Sequence, residues 1–333
     1  MNLPAALLVI RWLVWDTFRQ SLASRIFWVM LAVSGVCTAF CLSVSTVGLP
    51  TKPAKETAER VPADDPLTKD VDPARAGVDK IKGEVTFLLG AVRVPWQQYR
   101  EDAVRWLQLV LAGGIADTIG LLLALVWTAG FLPTFLEPTA VSVLLAKPVP
   151  RWSLLAGKYV GVVVFVAAQA AVFVGGTWLA LAVRTGVWAP QYLLCVPLLV
   201  LHFAIFFSFS AFLAVWSRST ITCVFGSLLF WLACWGLNFG RHASLAHLSG
   251  QGHVGEGYSR ALEAAYWFLP KPADMGYFLA QALDAAQYFP LAQELRDVDT
   301  LGALSPELSL LASVAFAVAM LAVAGYEFVK AEY

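Results

Sequence analysis

The sequence predicts an all-α membrane protein with six transmembrane helices, an N-terminal interfacial helix, both termini cytoplasmic and two large extracytoplasmic segments. Three observations carry this prediction. Six long stretches hold no charged residue, the composition is 59% hydrophobic against 14% charged, and Lys and Arg in the short connections collect on one side. A hydrocarbon core about 30 Å thick takes about 20 apolar helical residues to cross. In lipid every backbone polar group is paired internally, so runs of this kind are helices. The alternating segments of a transmembrane β-barrel do not occur.

Taken in order, residues 4–22 put Trp12, Trp15, Phe18 and Leu22 on one helical face and Asp16, Arg19 and Gln20 on another. That pattern suits a helix lying along the cytoplasmic membrane surface, with Arg11 snorkelling. It does not suit a cleaved signal, since no basic region precedes a short apolar run. The charge-free stretches are Ile26–Leu49, Thr118–Leu136, Tyr159–Val183, Thr185–Ser217, Ser219–Gly240 and Leu308–Tyr326. Arg11, Arg19 and Arg25 precede the first; Lys147, Arg151 and Lys158 separate the second and third; Arg218 follows the fourth and Lys330 the sixth. Only Arg184 marks the opposite side. The excess of basic residues in short loops assigns that side to the cytoplasm.

The long segments 50–107 and 241–307 then face outward. Pro50–Lys80 has the composition of a poorly ordered stretch. Val85–Val94 is apolar and β-branched, which predicts a short strand or hairpin. Pro95 is expected to open a helix carrying Tyr99, Trp106 and Leu107 into the second span. In the later segment, Glu256–Leu269 and Ala273–Phe289 show helical periodicity, punctuated by Pro270, Pro272 and Pro290.

Catalytic signatures are absent. The Gly157-Lys158 pair lacks the first Gly and the hydroxyl of a phosphate-binding loop, where Trp152 and Tyr159 stand. Neither His-Glu-x-x-His nor Gly-x-Ser-x-Gly occurs, and Ser208 and Ser210 have no base near in sequence beyond His202. The chain is therefore expected not to be an enzyme by itself. All five cysteines fall within spans, so the outward segments hold no disulfide framework; Cys37 and Cys41 read as small buried hydrophobes. His242, His247 and His253, with Glu256, form a weak candidate metal group in a Gly-rich stretch. A net charge of zero gives no hint of nucleic acid as a partner. Polar groups at membrane depth mark paths, so Asp117, expected at the outer start of the second span, His202, Gln169 and Asn238 are candidates for a translocation path.

The polar segment 137–158 carries the remaining signal. It contains Glu137, Thr139, Leu144-Leu145, Pro148, Arg151, Leu154-Leu155 and Gly157-Lys158. Val141, Val143, Leu144 and Leu145 give an apolar patch that a partner protein can bury, with Glu137, Lys147 and Arg151 as rim charges. By residues alone, an ordinary cytoplasmic loop remains an equal reading. The order and spacing resemble the corresponding segment of ABC transporter permeases of the type-2 export class, nearest in style to the permease of the nitrous-oxide-reductase maturation system. This chain departs from that pattern in having one Glu followed by Pro138, where paired acids and a Gly are usual, and Pro150 where a Ser is usual.

The resemblance implies that Glu137, Thr139, Leu144, Leu145, Lys147, Pro148 and Arg151 form the segment that docks on an ABC ATPase subunit. ATP and Mg would bind that partner, with no cofactor in this chain. It further implies a second permease copy, identical or different, in the lipid bilayer of a bacterial plasma membrane (the inner membrane), and export of a substrate the sequence does not name. A secondary transporter or a membrane assembly scaffold without ATPase coupling are the alternatives.

Overall fold

Long apolar runs with few interruptions become long helices. In the computed structural model, which describes residues 3–51, 83–96, 98–136, 151–248, 256–288 and 305–330, six helices are long and apolar enough to cross a membrane. They are α2 (Arg25–Leu42), α3 (Arg100–Phe135), α4 (Arg151–Thr185), the Pro190–Ser217 stretch whose main helix is α5 (Cys195–Ser217), α6 (Thr220–Leu248) and α9 (Pro306–Lys330). Around them stand α1 (Leu3–Ala23), α7 (Glu256–Phe268) and α8 (Pro272–Ala282). Helix α5 is the axis of the bundle: it touches α3, α4, α6, α8 and α9, and its window is the most buried of the six.

Small residues set how closely the helices approach. Helix α1 runs along α4, where a Cβ on Gly157 would lie 2.7 Å from Leu13 and one on Gly161 2.7 Å from the Thr17 hydroxyl. Leu13, Thr17 and Ser21 are buried in this seam, while Trp12, Trp15 and Leu22 are exposed on the other side of α1. Gly176 makes the same kind of approach to Thr38 of α2. Ser24, between α1 and α2, accepts a hydrogen bond from the Trp127 indole of α3.

The ends of the spans differ from the sequence-based boundaries, and each difference has a physical cause. The first span stops at Leu42, not Leu49: the Ser43 hydroxyl bonds back to the Phe40 carbonyl and receives the Leu88 amide, and Ser45–Val47 leaves as strand β1. β1 pairs antiparallel with β2 (Gly83–Phe87), which pairs with β3 (Val92–Trp96). The hairpin expected at Val85–Val94 is therefore present. Pro95, however, does not open a helix. It sits in β3, an edge strand, where its missing N–H does no harm. Helix α3 starts instead at Arg100, and Asp117 lies in its Val110–Gly120 part.

Part of α3, Val110–Gly120, is wound with i→i+5 hydrogen bonds. Within it the Thr118 hydroxyl donates to the Gly113 carbonyl 3.1 Å away. The fourth charge-free stretch is divided. Thr185 ends α4, Gly186 turns at φ 73°, and Pro190–Leu194 forms a 3₁₀ turn into α5. Helix α6 continues past Gly240 through Arg241 and His242. The helix expected over Ala273–Phe289 ends at Ala282, where Asp284 adopts φ 53°.

Candidate functional site

Three groups of buried polar residues stand out, because burying such atoms is costly unless they are paired. The first lies deep in the bundle. The wide turns of α3 bring Asp117, 5% exposed, against His202 of α5, 2% exposed. His202 Nδ1 and Asp117 Oδ1 are 2.5 Å apart. His202 Nε2 is also buried, and it has no hydrogen-bond partner among the described residues. The pair lines a cavity of about 490 Å³ between α3, α6 and α8, walled by Trp106, Trp231, Trp235, Phe239 and Tyr288. The Trp231 indole nitrogen is a second buried polar atom without a partner among the described residues.

The second group locks α8 onto the bundle. Asp274 accepts hydrogen bonds from Asn238 Nδ2 at 3.1 Å and His242 Nε2 at 2.7 Å on one oxygen. On the other it accepts the Tyr266 hydroxyl at 2.6 Å and the Ser309 hydroxyl at 2.5 Å. Four elements thereby meet on one carboxylate. Asn238 also accepts the Ala273 and Asp274 amides through its side-chain oxygen, satisfying first-turn donors of α8 that no helical carbonyl reaches. Burial by itself would raise the Asp274 carboxyl, but its bond from His242 and the two hydroxyls hold it down at about 2.

Beside it, burial lowers the Lys271 ammonium to about 8, against the opposing pull of Asp274 and with the Arg241 charge adding to the lowering. Lys271 and Arg241 both face the Tyr266 ring, 4.8 and 3.8 Å from its centre. Arg241 holds Glu263 of α7 with two bonds, at 2.8 and 3.0 Å. These bonds keep Glu263 below the usual carboxylate range despite its partial burial.

The third group sits at the opposite end, where α1 lies. Lys158, 1% exposed, donates to Gln20 Oε1 at 2.7 Å and stands 3.7 Å from Asp16. Arg151, the first residue of α4, donates to the Val329 carbonyl near the end of α9. The predicted coupling segment, 137–158, ends in the first turns of α4. Glu137, Thr139, Leu144, Leu145, Lys147 and Pro148 lie outside the described residues, and only Arg151 of that set is placed.

The four path candidates do not converge on one point. Asp117 and His202 form a pair and Asn238 belongs to the Asp274 network. Gln169 instead donates to the Ser34 hydroxyl between α4 and α2 at 3.1 Å. The sequence singled out these residues individually; what it missed were their partners Asp274, Tyr266 and Ser309, none of which stands out in a charge-free or periodic pattern. The expected histidine group is taken apart in one respect. His242 is a buried residue of α6 bonded to Asp274, not part of a polar loop. The side chain of His247 and all of His253 lie outside the described residues. Among the described residues no group of three or more His, Cys, Asp or Glu is arranged to hold a metal ion.

Residues 11–332 match the family model described as ABC-2 family transporter protein. No curated protein matches the chain.

Proposed function

The chain belongs to the ABC-2 family of transporter proteins, and from that premise we propose that it is the membrane subunit of an ATP-driven exporter coupled to a separate ABC ATPase. A multi-pass permease is what the family and the six apolar helices support. The finer reading adds a dimer of permeases in a bacterial inner membrane, ATP and Mg bound only by the partner, and docking through residues 137–158. It also takes in the likeness of that segment to the permease of the nitrous-oxide-reductase maturation system.

The observation that carries the coupling is the way both ends of the segment are tied. Its N-terminal end leaves α3, whose Trp127 is bonded to Ser24. Its C-terminal end opens α4, which Arg151 ties to α9 and Lys158 ties to α1. A displacement of the segment by a partner thus reaches α1, α3, α4 and α9 together. Such a displacement exports substrate only if ATP binds the two states with different affinity. In this arrangement α1 lies in the cytoplasmic interface with Trp12 and Trp15 toward lipid, as amphipathic helices do.

The test is purification of the tagged full chain from its native membrane. An ABC ATPase should accompany it, and Glu137→Arg with Arg151→Glu should lower the ATP turnover of the complex at least about fivefold. Absence of an ATPase, or turnover indifferent to both substitutions, overturns the proposal. Proton-dependent transport by the isolated chain would install the secondary-transporter reading in its place.

A further inference from the structure

The cavity under Asp117 and His202 has a chemistry of its own. We propose that it is a binding site for an amphipathic organic cation, an ammonium group carried on an aromatic or other apolar body. This rests on the permease reading and names the class of substrate such a path would accept.

The lining of the cavity points that way. Among the described residues that line it, Asp117 is the only acid, and none is Lys or Arg. A neutral imidazole that donates Nδ1–H to Asp117 would leave the pair with one negative charge. The charge of an ammonium group in the cavity meets that carboxylate.

The walls fit the rest of such a molecule. Trp235 and Phe239 stack with ring centres 5.5 Å apart, and Trp106 and Tyr288 line the same space. Indole faces attract cations. Gly114 opens directly on this space: a Cβ there would meet nothing within 4 Å. A bare metal ion fits poorly, because it needs several oxygen, nitrogen or sulfur ligands converging, whereas this surface is mostly indole and phenyl. An anion would meet the carboxylate with no compensating base.

The test uses the full chain in lipid nanodiscs without ATPase, with empty nanodiscs subtracted, and measures equilibrium dialysis of two probes. Propranolol carries a protonated amine and a hydroxyl on a naphthyl ether; 2-naphthoxyacetate carries a carboxylate on a closely similar ring. Propranolol is expected to bind at least tenfold tighter. Asp117→Asn should remove that preference, and Gly114→Leu, which leaves the Asp117–His202 pair intact and fills open space, should weaken propranolol at least fivefold. Equal binding of the two probes, or propranolol binding unchanged in Gly114→Leu, overturns the proposal. Because no ATPase is present, such a failure would leave the coupling reading standing, and loss of coupling in the ATPase experiment would leave the cation site standing.

Discussion

Replacing Asp274 with alanine strands four buried donors at once: Asn238 Nδ2, His242 Nε2, the Tyr266 hydroxyl and the Ser309 hydroxyl. Removing one partner of a buried charged pair costs about 3–5 kcal/mol, and each orphaned donor about 1–3 kcal/mol before relaxation. The alanine variant should therefore lose about 4–5 kcal/mol in the attachment of α8. Asp274→Asn keeps one acceptor oxygen but turns an NH₂ toward two donors, and should lose about half as much.

The pH dependence must agree. The carboxyl is held at about 2 against an ordinary value of 3.8; a depression of this size stabilises the fold by about 2–3 kcal/mol. The contribution is complete above about pH 4 and is lost as pH falls through about 2. Hydrogen exchange over Pro272–Ala282, with thermal unfolding in nanodiscs, reads both effects. Alanine within about 0.5 kcal/mol of the parent, the range of ordinary surface substitutions, would refute the reasoning.

Two further predictions follow from packing and charge. Gly161→Leu drives a side chain into the Thr17 hydroxyl, already 2.7 Å from an ideal Cβ; it should cost about 1–3 kcal/mol by overpacking and weaken a Thr17–Gly161 seam crosslink read through flanking cysteines. Lys271 is lowered to about 8 against about 10.4 in an unfolded chain, so its charged form works against the fold below pH 8. Stability should rise as pH climbs from about 8 to 10.4, and Lys271→Met should abolish that rise in pH-dependent thermal melts.

The spans themselves were legible because a charge-free run of membrane length has few other uses. The hairpin was legible for a similar reason, since alternating β-branched residues suit a sheet. The ends of the spans were not. A rule that stops at the first charge fails wherever the fold supplies a partner from elsewhere. Asp117 is met by His202, 85 residues away; Arg241 by Glu263, 22 away; and Lys158 by Gln20, 138 away. Pro95 was ambiguous in a different way, because a missing N–H is as harmless on an edge strand as at the first position of a helix. The wide winding of α3 had no signal in a charge-free or periodic pattern. The pairing of Asp117 with His202 had none, since it depends on how α3 and α5 face one another.

The glycine seam between α1 and α4 has a consequence for the membrane itself. With Gly157 and Gly161 pressed on Leu13 and Thr17, and Lys158 bonded to Gln20, α1 has no freedom to stay behind when α4 tilts. In the proposed orientation, the two act as an oar whose blade carries Trp12 and Trp15. Each stroke of α4 would then drag indole rings through the headgroup layer, and lipid must flow around them. Work done on the bilayer becomes part of the cycle, so the viscosity and packing of the inner leaflet would set a drag on transport even with the cargo and the ATPase unchanged.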